Sequence, residues 1–102
     1  MPLSHRQLDA FRRVMETGSV THAAERIHMS QPAVSKLLAA LERELGLTLF
    51  RRVRKRLVPT DDAHQMYEEV MRQFAALGNL HSFAEALKHA DAGELHIASA
   101  AS

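Results

Sequence analysis

"HMSQPAVSKLLAALERELG", His28 to Gly46, sets a serine and a proline directly before a leucine-bearing run that ends at glycine. Ser30 can accept hydrogen bonds from the free N–H groups of a helix's first turn, and Pro32 falls where a missing N–H has no intrahelical partner. The reading is therefore a helix that starts at Ser30. Val34, Leu37, Leu38, Leu41 and Leu45 form its apolar stripe, and Gly46 is its stop. With Val34 turned to the core, Gln31, Pro32, Ser35, Lys36, Ala39 and Arg43 fall on the opposite face, which is polar, positive and built largely of short side chains.

Upstream, Ser4 and Gln7 match a capping box, and Leu8, Phe11 and Met15 recur at helical spacing as far as Gly18, which predicts a helix over about 5–17. Ser19 can cap a second, short helix whose Val20, Ala23, Ala24 and Ile27 fall at i, i+3, i+4 and i+7. Only "HMS" separates it from the Ser30 helix. Two helices joined by so short a turn match helix-turn-helix geometry, in which the start of the second helix enters the DNA major groove. Gln pairs with adenine, Ser bonds several base edges, Pro touches a thymine methyl, and Lys reaches guanine or phosphate.

Downstream, LTLFRRVRKRLVPT carries two short apolar runs, Leu47–Phe50 and Leu57–Val58, flanking Arg51, Arg52, Arg54, Lys55 and Arg56. This predicts a small hairpin, broken by Pro59, although no Gly or Asn marks its turn. Thr60 can cap a further helix with Asp61 and Asp62 at its positive end. The helical pattern then continues to about Ala90. Tyr67, Val70, Phe74 and Leu77 carry the stripe, followed less regularly by Leu80, Ala84 and Leu87. Some 28 residues of helix span roughly 40 Å, more than a small domain can cover, so the stripe calls for a partner. Gly93 is the expected end, and "ELHIASAAS" opens like a strand, so the chain reads as the front part of something longer.

Composition bounds the rest. With 102 residues, 46% of them hydrophobic, one domain with a small core is expected, with no large catalytic cleft. The lack of cysteine removes disulfides, thiolate metal sites and a cysteine nucleophile. No apolar run approaches a membrane span, and a soluble, cytoplasmic protein is the expectation. The net charge of +1 hides a division: residues 1–60 hold eleven Lys/Arg against five Asp/Glu, a net of +6, while residues 61–102 hold two against seven, a net of −5. The first part is suited to a polyanion. Taken alone, Gln31, Ser35 and Lys36 fit a solvated helix face. The adjacent basic block, whose like charges repel, has a physical reason in a phosphate backbone or minor groove.

"GSVTHAAERIHMSQPAVSKLLAALERELGLTLFRRV", Gly18 to Val53, resembles the N-terminal domain of LysR-type bacterial transcriptional regulators, and the similarity runs over about residues 3–98. The resemblance implies a mainly α winged helix-turn-helix with a small β-hairpin wing followed by a long linker helix. The organisation it implies is a DNA-binding domain over 3–60, a dimerising linker helix over 61–90, and over 91–102 the start of an effector-binding domain. It implies double-stranded DNA as partner, with Gln31, Pro32 and Ser35 at base edges, Lys36 on phosphate, and Arg52, Arg54 and Lys55 in the wing. Ser30, Ala33 and Arg56 complete the candidate DNA-binding set. It also implies a homodimer through Tyr67, Val70, Phe74, Leu77 and Leu80, dimers that pair as tetramers in the full-length protein, and a small-molecule inducer bound by a C-terminal domain. One departure is Ala63, where the family usually carries Gly. The segments "FRRVRKRLVPT" and the run to "GELHIA" are most similar to members that control lysine, octopine and other amino-acid metabolism.

Two other classes compete. A helical dimerisation module whose basic wing binds any polyanion explains the long stripe but not the outward face of the Ser30 helix. An enzyme or metal reading starts from His81, Glu85 and His89 at i, i+4 and i+8, but no fourth ligand or enclosed pocket accompanies them. His5, His22, His28, His64 and His96 lack a paired carboxylate or nucleophile. The expectation is no enzyme, no metal and no cofactor.

Overall fold

A computed structural model of the protein describes residues 3–91. The order is α1 (His5–Thr17), α2 (Val20–Ile27), α3 (Gln31–Leu45), β1 (Phe50–Val53), β2 (Arg56–Pro59) and α4 (Asp61–Asp91). The expected stop at Gly93 and the strand-like ELHIASAAS lie outside the described residues. The described residues divide into two compact units, 3–71 and 72–91.

In the first unit the helix ends are set by side chains that take up orphan backbone groups. The Gln7 N–H donates to the Ser4 hydroxyl at 3.0 Å, and the Ser4 N–H donates to Gln7 Oε1 at 2.9 Å, which gives the buried Gln7 amide its partner. Ser19 accepts from the His22 N–H at 3.2 Å, and Ser30 from the Ala33 N–H at 3.2 Å. Thr60 accepts from the Ala63 N–H at 3.1 Å and so starts α4 at Asp61. Ala63 is fully buried there. Gly18 and Gly46 end α1 and α3 in the left-handed region, and His28 ends α2 at φ 58°.

The core of this unit is Ala10, Phe11 and Val14 of α1, Val20, Ala23 and Ala24 of α2, Val34, Leu38 and Leu41 of α3, Leu49, and Ala63 and Val70 of α4. Leu8, Met15, Leu37 and Leu45 of the predicted stripes are half-buried at its margin. The Phe11 and Phe50 rings lie 5.9 Å apart at 56°, fixing the start of the hairpin to α1.

The hairpin differs from its prediction. Three of the basic residues, Arg51, Arg52 and Arg56, lie within the strands rather than in a connection between two apolar strands. Phe50 pairs with Pro59, Arg51 with Val58, Arg52 with Leu57 and Val53 with Arg56, leaving only Arg54 and Lys55 as the turn. Pro59 is the last strand residue rather than a break. Leu47–Leu49 stay out of the ladder because their backbone groups are used elsewhere. The Leu47 N–H donates to the Glu42 carbonyl at 3.2 Å, the Leu49 N–H to the Glu42 carboxylate at 2.7 Å, and Leu49 O accepts from the Thr60 N–H at 2.9 Å. The two-residue turn has φ 52° at Arg54 and 67° at Lys55, the positive pair that a tight hairpin requires and that Asn-Gly usually supplies.

In the second unit, α4 exposes Leu77, Leu80, Phe83 and Leu87, each roughly half accessible or more. They fall within about 120° of the helix circumference, and Phe74 beside them is half-buried.

A non-glycine residue in the left-handed region costs about 1–2 kcal/mol, part of which glycine gives back through unfolded-chain entropy. Lys55→Gly is expected to raise stability by roughly 0.5–1 kcal/mol in urea unfolding. A loss of stability would mean that the Lys55 side chain contributes more than its backbone costs.

Candidate nucleic-acid interface

The caps and the core stripe together decide which side chains of α3 point outward. With Val34, Leu38 and Leu41 turned inward, Gln31, Pro32, Lys36, Ala39 and Arg43 are exposed and Ala33 and Ser35 half-buried. Ser30 is exposed, with its hydroxyl oxygen engaged as the cap. The wing adds a run of six exposed residues, Arg51 to Arg56. Side chains alternate along a strand, so Phe50 and Arg52 share a face with Pro59 and Leu57, and Arg51 and Val53 share the other with Val58 and Arg56.

These elements meet. Gly18, Ser19, Val20 and Thr21 at the start of α2, Gln31 at the start of α3, and Arg52, Lys55, Arg56 and Leu57 of the wing line one cleft of about 440 Å³. Of the residues singled out in the sequence, Gln31, Arg52, Lys55 and Arg56 are brought together here. Ser30, Pro32, Ala33, Ser35 and Lys36 occupy the rest of α3's N-terminal half, and Arg54 sits at the wing tip. Ser19 and Thr21 were missed as site residues. The sequence signal for Ser19 was its capping role alone, and nothing local indicates that the first turn of α2 borders the wing.

The charges divide into two kinds. On α1, Arg12 lies 3.7 Å from Asp9 and 3.8 Å from Glu16, and Arg13 lies 3.6 Å from Asp9 and 3.2 Å from Glu16. These arginines are neutralised within their own helix. Among the described residues no carboxylate stands at ion-pair distance from Arg51, Arg52, Arg54, Lys55 or Arg56, so the field of the wing is directed outward.

His81 Nε2 lies 3.9 Å from Glu85, which Lys88 also approaches at 3.5 Å. Among the described residues no group of three His, Cys, Asp or Glu is arranged to hold a metal, and no helix is long and apolar enough to cross a membrane.

Comparison with known proteins adds to this geometry. The family described as "Bacterial regulatory helix-turn-helix protein, lysR family" matches residues 5–64. The chain is 46% identical over 93 residues to the "Transcriptional activator protein LysR" of Escherichia coli K12, covering 91% of this chain and 30% of that protein. It is 42% identical over 93 residues to the "Octopine catabolism/uptake operon regulatory protein OccR" of Rhizobium meliloti, covering 91% of this chain and 31% of that one. The chain thus spans about a third of the length of the curated relatives it matches. Among solved structures, the DNA-binding domain of CbnR in complex with DNA is similar at a TM-score of 0.76 and 32% identity, over 86% of this chain and 99% of that one.

Because the Ser30 hydroxyl is spent on the Ala33 N–H, its removal should register first as lost stability. Ser30→Ala is expected to cost about 1 kcal/mol in thermal or urea unfolding. An unchanged midpoint would release Ser30 from its structural duty.

Proposed function

The chain belongs to the LysR family of bacterial helix-turn-helix regulators, and we propose that it is the DNA-reading part of a cytoplasmic transcription regulator that acts without enzymatic chemistry. The observation that carries this reading is the cleft that joins Gln31 to the unpaired cations Arg52, Lys55 and Arg56. In it, the start of α3 enters the major groove. Gln31 pairs with a base edge, with adenine as its best geometric match, while Pro32, Ala33 and Ser35 follow the groove floor closely because they are short. Ser30 and Lys36 face phosphate, and Arg52, Arg54, Lys55 and Arg56 engage the backbone and the adjacent minor groove.

The dimer is formed through α4. Of the residues assigned to it, Val70 is buried within its own chain, Tyr67 and Phe74 are half-buried, and Leu77 and Leu80 are exposed, extended by Phe83 and Leu87. A two-fold dimer matches an inverted-repeat operator, and dimers pair as tetramers in the full-length protein, whose C-terminal domain binds a small-molecule inducer. The organisation we assign is a reading domain over 3–60, a linker helix over 61–90, and the beginning of the inducer-binding domain from 91. Similarity to a regulator named for octopine catabolism and uptake supports target genes in amino-acid metabolism.

Selection of bound sequences from a random duplex pool, followed by salt titration of the winner against a scrambled duplex, tests the reading. An inverted repeat with a large specific-to-nonspecific ratio is expected. Equal binding to the scrambled duplex and to heparin would leave only a basic interaction module.

On the selected duplex, Gln31→Ala should cost about 1–3 kcal/mol and relax preference at one base position, while Arg54→Ala weakens all duplexes evenly and reduces the salt slope by about one. Identical behaviour of the two variants would erase the division between reading and anchoring. Leu80→Asp is expected to give monomers in sedimentation; a persisting dimer would place the interface elsewhere.

A further inference from the structure

Glu42 lies eleven residues beyond Gln31 on α3, within about 20° of it around the helix, on the edge that borders the wing. Its carboxylate is spent on the chain that leads into the wing. One oxygen, Oε2, accepts from the Leu49 N–H at 2.7 Å and from the Phe50 N–H at 3.2 Å. The Glu42 carbonyl also accepts from the Gly46 N–H at 2.8 Å and the Leu47 N–H at 3.2 Å. One residue of α3 thereby holds four backbone N–H groups from Gly46 to Phe50, the first residue of β1. That segment is pinned on its other side by the fully buried Leu49 side chain and by Phe50 against Phe11. Arg51 and Arg52 follow immediately.

We propose that Glu42 is a positioning residue for DNA recognition, fixing the wing cations in register with the reading face of α3. The inference rests on the DNA-reading function proposed above. Both ends of the link lie on one rigid helix, so the carboxylate transmits the orientation of Gln31 and Ser35 to Arg52 without slack. Hydrogen bonds to an ionised acceptor are about twice as strong as neutral ones, and two sharing one oxygen define an angle as well as a distance. Without the acceptor, two N–H groups at the base of the wing are left to water, and the hairpin keeps its own ladder while losing its fixed angle to α3.

The test uses four proteins: wild type, Glu42→Ala, Glu42→Gln, which keeps the reach and an oxygen acceptor, and Glu42→Asp, which keeps the charge but shortens the reach. All are compared at a temperature where circular dichroism shows them folded, with Glu42→Asp replacing Glu42→Ala should the latter not fold. Without DNA, ¹⁵N relaxation and amide exchange are expected to show the Leu49 and Phe50 amides deprotected and residues 51–56 more mobile in Glu42→Ala, with recovery in Glu42→Gln. With the selected duplex, Arg52→Ala is expected to lose about tenfold in affinity in the wild-type background and less than about threefold in Glu42→Ala, since a wing out of register has little left to lose. Equal losses in both backgrounds, or wing amides unmoved by Glu42→Ala, would overturn the proposal and leave Glu42 as a stabiliser of the fold. The DNA-free measurement decides this independently. If wild type shows no duplex preference while the wing loosens as expected, the reading function fails and the positioning of the wing by Glu42 stands.

Discussion

Three residues, His28, Met29 and Ser30, leave the chain no slack between α2 and α3, and the rest of the domain is arranged around that constraint. The His28 N–H reaches back to the carbonyls of Ala24 and Glu25, and the Met29 N–H to Ala24 at 3.0 Å, so α2 is closed before α3 is opened by the Ser30 cap. With the path this short, the rotation of α3 about its axis follows from which stripe can be buried against α1 and α2. Val34, Leu38 and Leu41 answer that, and the outward direction of Gln31, Pro32 and Lys36 is what remains. The exposed face of α3 is thus a by-product of a packing decision made on the other side of the helix.

The wing is attached by different means. It packs only a little apolar surface, chiefly Phe50 and the half-buried Leu57 and Pro59. Its position comes from polar connections at its two ends: Glu42 on the entering chain, and Thr60 on the leaving one. The Thr60 hydroxyl donates to the Thr48 carbonyl at 2.7 Å while the same residue caps α4. A surface that must carry five unpaired cations gains little from burial, and fixed hydrogen bonds substitute for it.

This difference explains how much could be read from the sequence. The starts of the helices and the ends of α1 and α3 were legible, because Ser4, Ser19, Ser30 and Thr60 act on N–H groups three positions away and Gly18 and Gly46 act on their own backbone. Which side chains of α3 face outward followed from its apolar stripe. The first strand was placed too early because the groups that remove Leu47–Leu49 from the ladder, Glu42 and Thr60, lie up to twelve residues from their partners. The turn was hidden because Arg54 and Lys55 occupy positions whose usual signal is Asn-Gly. The meeting of Ser19 and Thr21 with the wing depends on tertiary approach and has no local signature, and the burial of Val70 within its own chain likewise required the fold.

The two left-handed residues at the wing tip also narrow what evolution can do there. Glycine or asparagine would ease the backbone but discharge the tip; a β-branched residue would add steric cost and lose the charge as well. Arginine and lysine satisfy the electrostatic demand at the backbone's expense. Variation at these two positions is therefore expected to drift along a trade between shape and charge, so that chains differing in the charge of the wing tip would differ, at the same two codons, in how willingly the hairpin closes.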